Sequence, residues 1–328
     1  MPKSLRQKIL SLVFIGLLIS NTAYAQQEVN IKATKLSDSI YMLQGAGGHI
    51  GISIGDDGVV MIDDQFAPLS EKIKATIAEI TDKPIRFVIN THWHGDHVGG
   101  NANFANEGSM IVAHKNVRER MSTDQFMELF QREVKAAPEE ALPVITFKKM
   151  INFHLNGDEI RVIHVPHAHT DGDAIIHFVT DNIVHAGDTV FSGTYPFIDV
   201  GSGGTVTGFL ENLEGIIAIS DEDTQIIPGH GPLTNKAGMI EYHRVLSHIY
   251  SNYLKLKNSG KSFEEIQAIG ISNDYDESYG KGFIKPDVFL KLIDASYAVE
   301  HSQNEASAVS EVKSKTHHHG AGQTAHKH

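Results

Sequence analysis

The sequence predicts an α/β fold in which two mixed sheets pack together and carry helices on their outer sides. Short strand patterns and helical patterns occur in both halves of the chain, which suits such a layered arrangement. The chain has 328 residues, 41% of them hydrophobic, which is enough for one large domain or two small ones. No internal repeat of fixed period is visible, so the layers are expected to form a single irregular domain rather than an array.

The N-terminal half begins with strand patterns that lead into a β-α-β unit. Four strands are predicted here, at 39–44, 49–54, 59–62 and 85–89. An Asp–Gly turn at 55–58 predicts a hairpin, and Ser70 is predicted to cap a helix through Ile80. This order places the polar segment 90–101 at the carboxyl end of a strand, where loops present functional side chains.

Strand and helix patterns continue through the second half. Further strands are predicted at 110–113, 145–155, 159–165, 174–179, 183–186 and 225–227. Helices are predicted at 116–135, 206–219 and 236–257. In the last of these, Met239, Tyr242, Leu246 and Ile249 repeat at spacings of three and four, which predicts a stripe that faces the core.

Both ends of the chain differ in composition from its middle. A basic start, a short apolar stretch and Ala23-Tyr24-Ala25 predict a secretory signal over residues 1–25, with Gln26 as the mature N-terminus. A membrane anchor is the alternative, but the apolar stretch is well short of the ~20 residues that span a bilayer. We expect a periplasmic or secreted protein with no membrane contact after cleavage and a folded domain over 26–301. The polar, His-rich tail 302–328 is expected to be disordered, with zinc capture as the alternative.

The composition excludes some classes of function. The chain has 28 Lys and Arg against 40 Asp and Glu, and it shows no basic stripe, so nucleic acid is not an expected partner. It has no cysteine, so disulfides are excluded and a metal site would use only nitrogen and oxygen ligands. A small-molecule substrate is the expected partner, and the oligomeric state is left open.

The segment His92-Trp93-His94-Gly95-Asp96-His97 gives the strongest functional signal. Three imidazoles and a carboxylate this close together would be poorly satisfied in a purely structural role. They are the usual nitrogen and oxygen ligands of zinc. Alternate residues of a loop point in similar directions, so His92 and His94 can hold one ion while Asp96 and His97 diverge toward a second. Gly95 is expected to permit the bend between the pairs.

Three more candidate ligands, His169, Asp188 and His230, each follow a predicted strand. Taken alone, a histidine at a strand end is more often a hydrogen-bonded structural residue. Together with the first segment, however, the three complete two metal shells. Phe191 to Gly208 and Trp93 supply aromatic side chains near these ligands, which fits either a wall for an apolar substrate or ordinary packing.

Five motifs occur in an order that resembles the metallo-β-lactamase superfamily of hydrolases. They are Asp63, His-x-His-x-Asp-His, His-Thr-x-Gly-Asp, Gly-Asp-Thr and Pro-Gly-His-Gly, and they lie within residues 39–232. The resemblance implies an αβ/βα sandwich with its site at one edge of the two sheets. It also favours His169 over His167 as the ligand, because Thr170 follows His169 as in the family motif.

The resemblance also implies a role for each candidate. It assigns His92, His94 and His169 to a first zinc ion, and Asp96, His97 and His230 to a second. Asp188 would bridge the two ions, and Asp63 would orient a ligand histidine without touching metal. Class B1 and B2 β-lactamases carry a cysteine at the position of Asp188, and class B3 enzymes lack a bridging aspartate. The chain therefore resembles the glyoxalase II and lactonase branches more than the antibiotic-hydrolysing classes.

These inferences predict an exported hydrolase with two Zn²⁺ ions per chain. A hydroxide bridging the ions would attack the carbonyl carbon of an amide, lactam, lactone, ester or thioester, and Asp96 would help to orient it. A true class B β-lactamase is one alternative. A periplasmic zinc-binding carrier or sensor that uses the tail as a capture arm is another. Iron or manganese in place of zinc is also left open.

Overall fold

Two sheets packed face to face form the framework of the protein. A computed structural model describes the backbone of residues 29–318 and the side chains of residues 29–302. The predicted secretory signal, residues 1–25, lies outside the described residues. Within the described part, no helix has both the length and the apolar character needed to cross a bilayer.

The first sheet has seven strands, antiparallel at one end and parallel at the other. Its members are β1 (Lys32–Lys35), β2 (Ile40–Gln44), β3 (Ile50–Gly55), β4 (Gly58–Ile62), β5 (Ile85–Ile89), β6 (Met110–His114) and β9 (Ile145–Phe147), in that spatial order. The strands β1 to β4 form an antiparallel meander, and β4, β5, β6 and β9 run parallel to one another. Gly55 pairs with Gly58 across the two-residue turn that the Asp–Gly pattern predicts.

The second sheet has six strands. They are β10 (Met150–Leu155), β11 (Asp158–His164), β12 (Ala174–Phe178), β13 (Ile183–Phe191), β14 (Gln225–His230) and β15 (Thr234–Asn235). Neighbours are antiparallel except β13 and β14, which run parallel. A separate two-stranded ribbon consists of β7 (Gln125–Met127) and β8 (Arg132–Val134).

Apolar side chains from both sheets fill the space between them. Ile62 and Ile89 of the first sheet share one buried cluster with Val162, Ile176 and Ile227 of the second. Their alternation with outward-facing residues follows the two-residue period of a strand. A second buried cluster covers the other face of the second sheet and contains the helices that pack there.

Nine α-helices are assigned within the described residues. They are α1 (Ser70–Ala78), α2 (Gly95–Val98), α3 (Asn101–Asn106), α4 (Lys115–Met121), α5 (Val206–Ile219), α6 (Lys236–Asn258), α7 (Phe263–Ile269), α8 (Asn273–Tyr279) and α9 (Pro286–His318). The stripe predicted on α6 is buried, since Met239, Tyr242, Leu246 and Ile249 all belong to the second cluster. The layers of sheets and helices match the predicted αβ/βα sandwich.

Three element predictions were wrong. The helix predicted over 116–135 is only α4, which ends at Met121. The ribbon follows it, and within this segment Met127 and Phe130 line a cavity. The strand predicted over 145–155 is two strands, β9 and β10, that belong to different sheets. Ser70 is the first residue of α1 rather than its cap, because a 3₁₀ turn at Ala67–Leu69 leads directly into the helix.

The C-terminal helix α9 continues to His318. It thereby includes part of the tail 302–328 for which the sequence predicts disorder. The low apolar content of this segment argues against core packing, but its Ala, Glu and Lys residues favour a local helix. Residues 319–328 lie outside the described part of the chain.

Candidate metal centre

The seven predicted ligands come together at one edge of the sandwich. Those of the segment 92–97 lie in the loop after β5 and in the short helix α2. His169 lies in the connection between β11 and β12, and His230 is the last residue of β14. Asp188 lies inside β13 rather than beyond it. A register irregularity at Gly187, which has a φ of 52°, breaks the regular strand pairing beside it.

Three histidines form the first group of ligand atoms with Asp188. His92 Nε2 lies 3.1 Å from His94 Nδ1, which lies 2.8 Å from His169 Nε2. All three rings are buried, with at most 4% of their surface exposed. The Oδ2 atom of Asp188 completes the group, at 3.9 Å from His92 Nε2 and 3.8 Å from His169 Nε2.

In each ring of this group, one nitrogen (the inner one) faces the other ligand atoms and the second (the outer one) faces a fixed hydrogen-bond acceptor. His94 Nε2 donates to Asp199 Oδ2 at 2.9 Å, and His169 Nδ1 donates to the carbonyl oxygen of Phe197 at 2.7 Å. His92 Nδ1 donates at 3.0 Å to the hydroxyl oxygen of Thr91, whose own proton goes to Asp63 at 2.7 Å. A neutral imidazole has one N–H, so the inner nitrogens present lone pairs.

Burial keeps the rings of His92 and His169 neutral. Burial and the nearby His97 lower the pKa of His92 well below its usual range, and burial together with His94 lowers the pKa of His169 to about 4. Lone pairs that face one another at about 3 Å repel unless a cation lies between them. The first group therefore fits a bound metal ion.

Asp96, His97 and His230 form the second group. His230 Nε2 lies 3.3 Å from Asp96 Oδ2 and 3.3 Å from Asp188 Oδ1, and His97 Nε2 lies 3.0 Å from the same Asp188 oxygen. Although burial acts to lower the pKa of His230, the two carboxylates raise it to about 10. The second group thus attracts positive charge, which either protons or a metal ion can supply.

Asp188 faces both groups through its two oxygens. Its Oδ2 points to the histidines of the first group and its Oδ1 to those of the second. Burial acts to raise the pKa of Asp188, but His230 and His97 hold it well below its usual range, so the carboxylate is ionised. The closest contacts between ligand atoms in the two groups are 2.8 to 3.9 Å, and all ligand atoms of each group lie within 4.8 Å of one another. Zinc bonds of about 2.0–2.2 Å in a tetrahedral arrangement would place them about 3.4 Å apart. The residues present therefore fit two metal ions that share Asp188.

Asp63 makes the contact that the resemblance implies. Its Oδ2 accepts a hydrogen bond from His97 Nδ1 at 2.7 Å, and its Oδ1 accepts one from the backbone N–H of Thr91 at 2.7 Å. The carboxylate is fully buried. It fixes the ring orientation of His97 directly and that of His92 through the Thr91 hydroxyl.

Two glycines allow the close approach of other chain segments to the site. A Cβ added at Gly229 would lie 2.0 Å from Asp188 Oδ1, and one at Gly48 would lie 2.1 Å from the His97 ring. Gly95 differs from the sequence-based expectation. It lies at the start of α2 without a positive φ, and an added Cβ would meet nothing within 4 Å. The bend between the two ligand pairs therefore does not require glycine at position 95.

A cavity of about 510 Å³ opens directly onto both groups. His94, Asp96, Asp188 and His230 contribute to its surface. Most of the remaining lining is apolar and comes from three segments. These are the ribbon, the loop after β13 and the loop before α9, with Phe66 beside them. Asp96 and His230 are the most exposed ligands, at 26% and 32% of their side-chain surface, so they face the cavity.

The aromatic residues near the ligands divide between the cavity and the core. Phe191, Tyr195 and Phe197 line the cavity. The Tyr195 hydroxyl is already engaged, since it donates to Asp276 Oδ1 at 2.7 Å. Trp93 packs in the second hydrophobic cluster and not along the cavity. The aromatic lining from this region therefore comes from the end of β13 and the loop after it, whereas Trp93 has an ordinary packing role.

Sequence reasoning missed several residues of the site. Asp199, which holds His94, follows a loop and precedes a glycine-rich run, and an aspartate in that context is also a common turn residue. Thr91 directly precedes the ligand segment and was not singled out. Arg132 and Phe283 line the cavity from segments with no motif. His167, which the family motif disfavours as a ligand, is exposed and belongs to neither group of ligand atoms. Its Nδ1 lies 3.0 Å from the carbonyl oxygen of Gly203.

Comparison with known proteins assigns the family. The model of the metallo-beta-lactamase superfamily matches residues 49–231, which is more than half of the chain and spans all seven candidate ligands. The chain belongs to the metallo-beta-lactamase superfamily.

Individual relatives are distant. The chain is 26% identical over 180 residues to the 2,4-dinitroanisole O-demethylase subunit alpha of Nocardioides sp. (strain JS1661), covering 54% of this chain and 50% of that protein. It therefore spans half the length of that relative. It is 22% identical over 235 residues to a type 2 metallo-beta-lactamase of Bacteroides fragilis, covering 67% of this chain and 88% of that one.

A solved structure supports the fold. A metallo-beta-lactamase from Pontibacter korlensis superposes with a TM-score of 0.55 at 16% sequence identity, covering 66% of this chain and 99% of that one. At this level of identity the likeness concerns the arrangement of sheets and helices. It confirms the predicted sandwich.

Proposed function

We propose that the protein is an exported hydrolase that uses two Zn²⁺ ions to cleave an amide, lactam, lactone, ester or thioester bond. The observation that carries the proposal is the convergence of two groups of ligand atoms on one shared carboxylate, Asp188, at the floor of a cavity. Metal ions held by these groups would supply Lewis acidity and would lower the pKa of a coordinated water to about 7.

The ligand set supports catalysis rather than storage. A structural zinc site is closed by four protein ligands, whereas the second group offers Asp96, His97 and His230 beside the shared Asp188 and opens to a cavity. The cavity-facing ligands leave room for a substrate to approach. A carrier needs no such cavity with an apolar wall.

The chain's own residues would prepare the reaction. Asp199, Phe197 and Asp63 fix the rings of His94, His169 and His97 through hydrogen bonds, so the site needs little reorganisation. The aromatic wall excludes water from the reacting atoms.

We propose that Asp96 orients the attacking water. Burial acts to raise its pKa, but His97 and His230 lower it below the usual range, so the carboxylate is ionised at neutral pH. Its side chain is 26% exposed and faces the cavity, so one oxygen is within reach of a substrate or water. In this position it can orient the attacking water by accepting a hydrogen bond from it.

The first experiment measures metal content. We expect the purified mature protein to bind about two Zn²⁺ per chain by mass spectrometry of the metal, and Asp188→Ala to bind one or none, because both groups lose a ligand. Asp276→Ala is the matched control, since that aspartate only contacts the Tyr195 hydroxyl. A stoichiometry near one that Asp188→Ala leaves unchanged would contradict the shared site.

The second experiment separates the substrate classes. The zinc-loaded protein is tested against a chromogenic cephalosporin and against aryl esters, thioesters and lactones. The 22% identity to the type 2 metallo-beta-lactamase makes cephalosporin turnover the second candidate function. An aspartate instead of a cysteine at position 188 favours the esters, thioesters and lactones. Failure to hydrolyse any of them, with two zinc ions bound, would refute the proposed reaction.

A further inference from the structure

The ribbon formed by β7 and β8 borders the cavity. Met127 pairs with Arg132 across it, and a 3₁₀ turn at Glu128–Phe130 joins the two strands. Met127, Phe130 and Arg132 all line the cavity. The ribbon therefore contributes side chains to the same space that the metal ligands face.

Arg132 is the cation of this ribbon that no acid of the described chain neutralises. The neighbouring acids Asp124 and Glu133 both bind Lys135, at 2.8 and 3.0 Å. Arg132 forms no ion pair with a carboxylate among residues 29–302, and its guanidinium donates only to the Met127 sulfur at 3.8 Å. Arg132 is exposed and lines the cavity, so its remaining N–H groups can bind an anion there.

Exposed aromatic side chains line the same cavity as Arg132. Phe283 is 71% exposed, Phe66 42% and Phe130 38%, and all three line the cavity. The Phe130 ring lies 5.7 Å from that of Phe283 and 5.4 Å from that of Phe197. Phe197 in turn stacks on the ligand His94 at 5.7 Å. An apolar surface thus runs without interruption from the mouth to the metal centre.

Contact of several large apolar side chains with water at one place is unfavourable in free energy, and such a patch commonly marks a site where a ligand binds. The aromatic wall therefore selects an apolar body, and Arg132 selects a negative charge near the mouth. The cavity volume of about 510 Å³ is in the range of sites for drug-sized ligands, so both features can contact one molecule.

We propose, on the basis of the function proposed above, that the substrate is an elongated apolar molecule with an anionic group remote from the bond that is cleaved. The apolar body lies on Phe130 and Phe283, and the anionic group binds the guanidinium of Arg132. The scissile carbonyl then reaches the floor at Asp96 and His230. Arg132 is a specificity-determining residue and takes no part in the bond cleavage.

Calorimetry on the zinc-loaded protein tests the subsite without requiring turnover. The probe is n-octane sulfonate, an anion that coordinates zinc weakly, and n-octanol is its neutral counterpart. We expect Arg132→Gln to weaken sulfonate binding by about tenfold, the value of one charge-assisted hydrogen-bonded contact, and to leave octanol binding unchanged. Phe283→Ala should weaken binding of both probes by about fivefold, because it removes apolar contact.

Lys135→Gln is the matched control. It makes the same change in net charge directly after the same ribbon, but it removes a lysine that two carboxylates already neutralise. Arg132→Lys should retain most of the sulfonate affinity. Equal effects of Arg132→Gln and Lys135→Gln, or no effect of Arg132→Gln, would overturn the proposal.

A pair of esters separates this inference from the proposed function. For p-nitrophenyl octanoate and its ω-sulfonated analogue, we expect Arg132→Gln to lower kcat/KM about tenfold for the sulfonated ester alone, mainly through KM. If neither ester is cleaved, the proposed function fails for esters while calorimetry still decides the anion subsite. If both are cleaved equally by the wild type and by Arg132→Gln, the subsite is refuted while the hydrolase stands.

Discussion

Substituting alanine for Gly229 should displace the shared ligand of the metal centre. The new Cβ would lie 2.0 Å from Asp188 Oδ1 and 2.7 to 2.8 Å from backbone atoms of Gly187 and Asp188. Ordinary van der Waals contact begins at 3.4 Å, so the carboxylate oxygen would have to move by about 1.4 Å. Metal–ligand distances tolerate only about 0.2 Å, so this movement removes Asp188 as a ligand of the second group.

The expected result is a loss of one or both metal ions. Gly229→Ala should bind at most one Zn²⁺ per chain by metal analysis, and overpacking should reduce its free energy of unfolding by about 1–3 kcal/mol in urea denaturation. Gly95→Ala is the control, because its Cβ would meet nothing within 4 Å. It should keep the wild-type metal content and stability. If Gly229→Ala bound two ions with wild-type affinity, Asp188 Oδ1 would not lie in contact with position 229. That result would refute the prediction.

Two further predictions concern residues that act through neighbours. Asp199→Ala removes the acceptor of the His94 ring and should weaken zinc binding by about 10–100-fold in competition with a chromophoric chelator. Asp199→Asn keeps an acceptor oxygen and should lose much less zinc affinity. Equal losses of affinity in the two variants would argue against the role of Asp199 as the acceptor for His94. His114 caps α4 by accepting from Asn116 N–H, and burial with the stacked His164 lowers its pKa to about 4. In the unfolded chain the His114 ring binds a proton near pH 6.5, whereas in the folded chain it does so only near pH 4. The free energy of unfolding should therefore fall as the pH drops from about 6.5 to about 4. In metal-free protein, His114→Asn should make that fall smaller in urea unfolding at the two ends of the range; an unchanged fall would exclude His114 as a cause.

The candidate ligands were predictable because their signal is local. His92, His94, Asp96 and His97 lie within six residues, and no structural role accounts for so many imidazoles and a carboxylate. The other three were found because polar residues at the ends of strands meet at one sheet edge. The structure brings all seven into two adjacent groups, which the spacing alone could not demonstrate.

The surroundings of the metal centre were less predictable. Asp199 and Thr91 hold ligand histidines, but aspartate and threonine are common in turns, so neither stands out in the sequence. The predicted role of Gly95 was wrong because the bend is an ordinary helix start, whereas Gly48 and Gly229, which are needed for close packing, lie far away in the sequence. Contacts between distant segments leave no local pattern.

The segment 116–155 illustrates how tertiary contacts override local preference. Its apolar residues fit a helical spacing, yet the chain forms the ribbon, in which Phe126 is exposed while Met127 and Phe130 line a cavity. Farther on, one continuous apolar pattern is divided between β9 and β10 in opposite sheets. Periodicity reports which side of an element is buried, but not which sheet buries it.

The sequence by itself determined the layered α/β class, the identity of the candidate ligands and the nitrogen and oxygen chemistry of the site, because strand periodicity, ligand type and the absence of cysteine are all local properties. Only the tertiary structure decided that Asp188 faces both groups, that the outer ring nitrogens are held by Asp63, Asp199 and a backbone carbonyl, and that Arg132 borders the cavity. These features depend on distances between side chains that are separated by many residues along the chain. Such distances are set by the packing of the two sheets.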